Sequence, residues 1–211
     1  MNSAEELLRE AAEWRMISLL FDCPRGEWFK QVDELAGQVT DMKLKQAAVA
    51  VRHEASEGLF HSIFGPGGPA PGREVSYRSW VEPGQLLSEL SSFYTAFCYS
   101  PATGEVTDHI SVETGFVAYL RLKELYARES GDDESAVITA DAASRFMSDH
   151  ITKYAQKVNK LFSASGIEYL RLASEALFER VGPDKDKELK TFLPVLEEED
   201  EAFFGCGAPA V

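Results

Sequence analysis

Glu105-Val106-Thr107-Asp108-His109-Ile110-Ser111-Val112-Glu113, running on into an apolar helical pattern to about Arg128, is the stretch on which the reading of this chain turns. Pro101 and Gly104 mark a short loop ahead of it. An aspartate at a helix start accepts bonds from backbone N–H groups that lack partners, and it suits the positive end of the helix dipole. Asp108 is therefore expected at the first turn. With helical geometry from near Thr107, His109 and Glu113 share one face, while Ile110, Phe116, Val117, Leu120 and Leu125 fill the other. Glu105 stands four residues before His109. The cluster reads either as a docking point at the mouth of a buried helix or as an N-cap with a surface pair.

Outward from that stretch, the chain reads as helix after helix. Leu7, Leu8, Ala11, Trp14, Ile17, Ser18 and Phe21 follow a 3.6-residue period, with Asn2 or Ser3 as cap, and Cys23-Pro24-Arg25-Gly26 stops them. Trp28 to Val39 marks a shorter second helix, and Leu44 to Ile63 a third spanning about Asp41 to Phe64. Gly65-Pro66-Gly67-Gly68-Pro69-Ala70-Pro71-Gly72 cannot be helix or central strand. It leads into Val75-Ser76-Tyr77-Arg78-Ser79-Trp80, where two aromatics either plug the core or line a groove. Periodicity resumes from Pro83, a residue suited to a first turn, to Tyr99. Beyond a polar break at Ser130–Glu134, long apolar faces run from Ala140 to Phe162 and from Ile167 to Val181. Strand-like alternation is nearly absent, so the fold is expected to be all-α, a single-domain multi-helix bundle over residues 1–183. Residues 184–211 form an acidic tail. Its run Glu197–Glu201 reads as a solvated flexible end, or as an arm anchored by Phe203 and Phe204 that guards a partner site.

A net charge of −14 argues against nucleic acid and favours a basic partner. No run of about 18 apolar residues spans a membrane, and the acidic start Met1–Glu6 is unlike a secretory signal peptide. Cys23, Cys98 and Cys206 are odd in number and widely spaced, as free thiols in a reducing cytoplasm would be.

Motifs for bond chemistry are missing: no GxxxxGK(S/T), CxxC, HExxH or GxSxG occurs. Di-iron bundles need Glu-x-x-His pairs, and none of His53, His61, His109 or His150 has a Glu three residues earlier. One stripe suits a metal: His53, Glu57 and His61 at successive i, i+4 spacing on the expected third helix. His150 suits a core or helix–helix contact.

Three segments carry a resemblance. Glu105-x-x-Asp108-His109-Ile110-x-x-Glu113-x-x-Phe116 resembles the E-P-x-D-H-I/L-x-x-E-L-x-F-M signature of the TorD, DmsD and NarJ group. These are cytoplasmic maturation chaperones of molybdenum oxidoreductases. Phe64-Gly65-Pro66 through Glu74-Val75-Ser76-Tyr77 is similar to the group's G-P-x-x-P…P-x-x-E-S-V-Y segment, and Phe146-x-x-Asp149-His150-Ile151-x-x-Tyr154 to its F-x-x-E-H-L-x-x-W helix. Val106 stands where the group has Pro, Thr114 and Val117 where Leu and Met are usual, and Tyr154 replaces Trp.

The resemblance implies a non-enzymatic, all-helical chaperone without a cofactor of its own. Its partner would be an apo-molybdenum oxidoreductase catalytic subunit, bound through an N-terminal twin-arginine-type leader or equivalent segment. Binding would aid cofactor insertion and delay export. Tyr77, Glu105, Asp108 and His109 are the peptide-binding positions carried by the motifs. Trp80, Glu113 and Phe116 join them on chemistry, Phe116 suiting the core as well. His109 would orient the site or make it pH-sensitive near neutrality. A monomer or a helix-exchanged dimer fits. Two other readings stand beside this one: a metal-binding helical protein or enzyme using His53, Glu57 and His61, and a generic acidic helical adaptor.

Overall fold

Nine α-helices, one 3-10 turn and one π turn are found among the described residues, 3–79 and 81–184 of the computed structural model. In order they are α1 (Ser3–Leu20), α2 (Trp28–Ala36), α3 (Met42–Glu54), α4 (Glu57–Phe64), a 3-10 turn (Glu74–Tyr77), α5 (Pro83–Ala96) and α6 (Ile110–Glu129). Then follow α7 (Asp133–Phe146), a π turn (Met147–Ile151), α8 (Thr152–Phe162) and α9 (Glu168–Val181). The fold is all-α, as the periodicity predicts. Trp80, the acidic run and Cys206 lie outside the described residues.

The bundle is organised around α6, flanked by α1 on one side and α7 on the other; α9 packs on α3 and α8. Every residue of α6 from Ile110 to Ala118 is buried, so the helix starts inside the molecule rather than on its surface. Close approach of α1 is permitted by Gly115. A Cβ there would lie 3.0 Å from Ser18 Oγ and 2.9 Å from the Tyr99 hydroxyl. The Ser18 hydroxyl donates to the Ser111 carbonyl across that contact at 2.7 Å. Phe116 sits where the helices converge, its ring centroid 4.8 Å from Phe146, 4.9 Å from Tyr94 and 5.1 Å from Tyr99.

Polar ties hold the flanks. Arg180 on α9 bonds Glu13 of α1 at 2.9 Å and Asp41, the cap of α3, at 3.0 Å. Glu54, the last residue of α3, accepts the Glu168 and Tyr169 N–H groups that open α9.

One expected helix is two. Between Glu54 and Glu57 the backbone extends (Ala55 ψ 132°, Ser56 ψ 157°), and the Ser56 hydroxyl accepts the Leu59 N–H at 3.1 Å. The serine starts a new helix instead of continuing the old one. His53 therefore lies on α3, whereas Glu57 and His61 lie on α4, and the expected three-residue metal stripe on one helix does not exist. Elsewhere, Pro83 opens α5 as expected, and Glu82 caps it. The long face from Ala140 to Phe162 is interrupted by the π turn, which carries buried His150 and Ile151. Cys23 and Cys98 are free thiols. No helix among the described residues is long and apolar enough to cross a membrane.

Candidate functional site

The start of α6 is tied to the segment that follows the Gly/Pro loop. Residues around Arg73 and His109 form an antiparallel bridge: Glu74 N–H donates to the Asp108 carbonyl and Ile110 N–H to the Gly72 carbonyl, each at 2.8 Å. Asp108 is fully buried, and its carboxylate receives Arg73 Nε at 2.9 and 3.1 Å. It does not cap α6 as its residue type predicts. A charge-assisted bond from a guanidinium outweighs an ordinary N-cap bond, and the carboxylate turns toward Arg73.

His109 takes the cap position instead. Its Nδ1 accepts the Ser111 N–H at 3.2 Å and lies 2.7 Å from the Ser111 hydroxyl. With Nδ1 an acceptor, the ring proton is on Nε2, which is buried among Phe60, Phe64 and Gly72 and meets no partner. Burial, and behind it the Arg73 charge, depresses the His109 pKa to about 4. The imidazole is thus neutral throughout the physiological range. The expectation that it titrates near neutrality is corrected by its burial.

Beneath the 3-10 turn lies a second buried polar cluster. The Glu74 carboxylate accepts Arg78 Nη1 at 2.8 Å and lies 3.1 Å from His150 Nδ1. Arg78 also donates to the Asp149 carbonyl at 3.1 Å, joining this turn to the π turn. Glu113 faces the Glu74 carboxylate and the Tyr154 hydroxyl in the interior, and these two side chains are its polar neighbours there. Burial above all, then the neighbouring Glu74 carboxylate, holds the Glu113 pKa well above the usual carboxylate range. Tyr77 closes the cluster: its hydroxyl donates to the Pro71 carbonyl at 2.6 Å and its ring packs on Tyr154. Lys157 bonds the Tyr77 carbonyl.

Neither an exposed docking point nor a surface pair is what the folded chain presents at the start of α6. Tyr77, Asp108, His109, Glu113 and Phe116 are buried; Asp108, Glu113 and Tyr77 gather around the Gly72–Tyr77 segment, and Phe116 belongs to the aromatic core. Trp80 is outside the described residues. Among the described members of the group, Glu105 alone faces solvent in part. It borders a cleft of about 190 Å³ lined also by Asp22, Cys23, Arg25 and Trp28. On the far side of the Gly/Pro loop, Ile63, Pro69, Ala70, Leu161, Phe162 and Ile167 line a mainly apolar cleft of about 320 Å³. Arg73, Glu74 and Arg78 were missed as site residues, because their partners lie 35 to 76 positions away in the sequence. His150 is buried on Glu74, the core role its type suggested.

An all-helical bundle of this kind is consistent with a TorD-type scaffold. The sequence matches the nitrate reductase delta subunit family over residues 31–160, more than half of the chain, and the chain belongs to that family of NarJ/TorD-type molybdoenzyme maturation chaperones. The match contains all three resembling segments and both buried polar clusters. No curated protein and no solved structure matches the chain.

Proposed function

We propose that this chain is a cytoplasmic chaperone that binds the N-terminal leader, twin-arginine-type or equivalent, of an apo-molybdenum oxidoreductase. It holds the client open to cofactor insertion, delays its export and performs no bond chemistry. The observation that carries this reading is Glu113. A fully buried carboxyl set beside a second buried carboxylate is costly to fold around, and such costs are tolerated where a group serves a ligand.

In the proposed cycle the negative surface steers a cationic segment to Glu105 at the rim. The Gly/Pro loop and the 3-10 turn then lift, and Tyr77, Trp80, Asp108, His109 and Glu113 meet the peptide. A leader guanidinium then pairs with the Glu113 carboxyl in place of Glu74 and Tyr154. The leader's apolar stretch occupies the cleft beside Ile63, Ala70 and Phe162. Phe116 stays in the core and supports the helix from within.

Co-expression tests the reading. The chain should be recovered with the apo-catalytic subunit, deletion of that subunit's N-terminal segment should abolish recovery, and raised salt should weaken it through screening. Recovery that ignores the deletion would refute the leader assignment.

A further inference from the structure

Cys23, after α1, meets Glu57 and His61 of α4 beside the Glu105 cleft. One donor atom of each (thiol sulfur, carboxylate oxygen, imidazole nitrogen) lies within 4.8 Å of the other two. Glu57 and His61 stand at i, i+4 on α4, and Cys23 sits just past the end of α1. Cys23 is buried while the other two are exposed, so the cluster has a fixed floor and an open side. A cation already occupies it: Arg25 Nε is 3.0 Å from Glu57 Oε2, and Arg25 Nη2 is 2.8 Å from His61 Nε2. A guanidinium has no lone pair to offer, so His61 Nε2 is the acceptor and directs its own lone pair into the cluster. Asp22 and Glu105 bring further negative charge to Cys23.

We propose that Cys23, Glu57 and His61 form a binding site for a thiophilic divalent cation such as Zn²⁺, with Arg25 as its displaceable occupant. A sulfur, nitrogen and oxygen donor set suits zinc, and three protein ligands leave a fourth position for water. On binding, the Cys23 thiol gives its proton to solvent and Arg25, whose side chain is half exposed, swings out of the cluster. The site uses none of the residues assigned to the leader, and its occupancy can be measured without any client.

The test is a titration of the full chain, reduced and stripped of metal, with Co²⁺ and then Zn²⁺. Stoichiometric Co²⁺ uptake with a thiolate-to-cobalt charge-transfer band, displaced by Zn²⁺, is expected. Cys23→Ser should abolish the band, and His61→Ala should weaken binding by more than the about 10- to 100-fold that loss of an outer-shell partner costs. Cys98→Ser and Cys206→Ser should change nothing, and Arg25→Ala should tighten binding by removing the competitor. Circular dichroism of each variant verifies its fold. Absence of stoichiometric uptake, a band that survives Cys23→Ser, or weaker binding in Arg25→Ala would overturn the assignment.

Discussion

Arg73 and Asp108, 35 residues apart, are bonded at 2.9 Å, and the backbone on either side of them is bonded as well, so a single clasp closes the Gly/Pro loop onto the start of α6. Asp108 is fully buried whereas the Arg73 side chain is half exposed. Asp108→Ala leaves a cation that can turn to water rather than one trapped inside. The loss is therefore below that of a broken fully buried pair, about 1–3 kcal/mol, read as a lower urea midpoint. Pairing it with His109→Ala removes the α6 cap as well and should lower stability further, so that double variant tests folding before it tests binding.

Gly72 carries a second prediction. A Cβ there would lie 2.2 Å from His109 Nε2, inside a buried ring contact that has no room to relax. Gly72→Ala should cost about 1–3 kcal/mol. Gly104→Ala, in open space on the far side of the motif, should stay within about 0.5 kcal/mol of the parent. Equal effects of the two would show that the loop does not press on His109.

The pH dependence of stability follows from His109. Its folded pKa is about 4 against an ordinary 6.5, so the unfolded chain binds the extra proton between those values. Stability should fall as pH drops from about 6.5 to about 4, by about 3 kcal/mol in total from this group, and level off below. His109→Asn, which retains a cap acceptor, should lose that dependence; urea midpoints across this range decide.

Much of this was legible in the chain, and what was not has a common cause. Helix positions follow from apolar period, and Pro83 as a first-turn residue needs only its neighbours. The break at Ala55–Ser56 has no proline or glycine at the junction; the serine cap there competes with an apolar period that runs straight through it. Asp108 reads locally as a cap and is drawn away by Arg73, a partner no local pattern reveals. Burial of Glu113 was hidden for the same reason: i, i+4 spacing to His109 suggests a surface pair, whereas packing of α1, α7 and the π turn around α6 encloses both. Motif order pointed to the family, but not to which motif residues face inward.

Glu113 tests the central claim most directly. Its raised pKa means that the folded chain keeps a proton the unfolded chain releases above about pH 4.5, so its burial costs stability increasingly as pH rises. Glu113→Gln removes the ionisable group at nearly constant shape. The decisive measurement is titration of a leader peptide into the parent and Glu113→Gln chains at neutral pH, with urea unfolding of both run alongside. The account predicts a variant that is more stable than the parent, by a margin that grows with pH, and that binds the peptide more weakly. A variant with gained stability and unaltered affinity would contradict it.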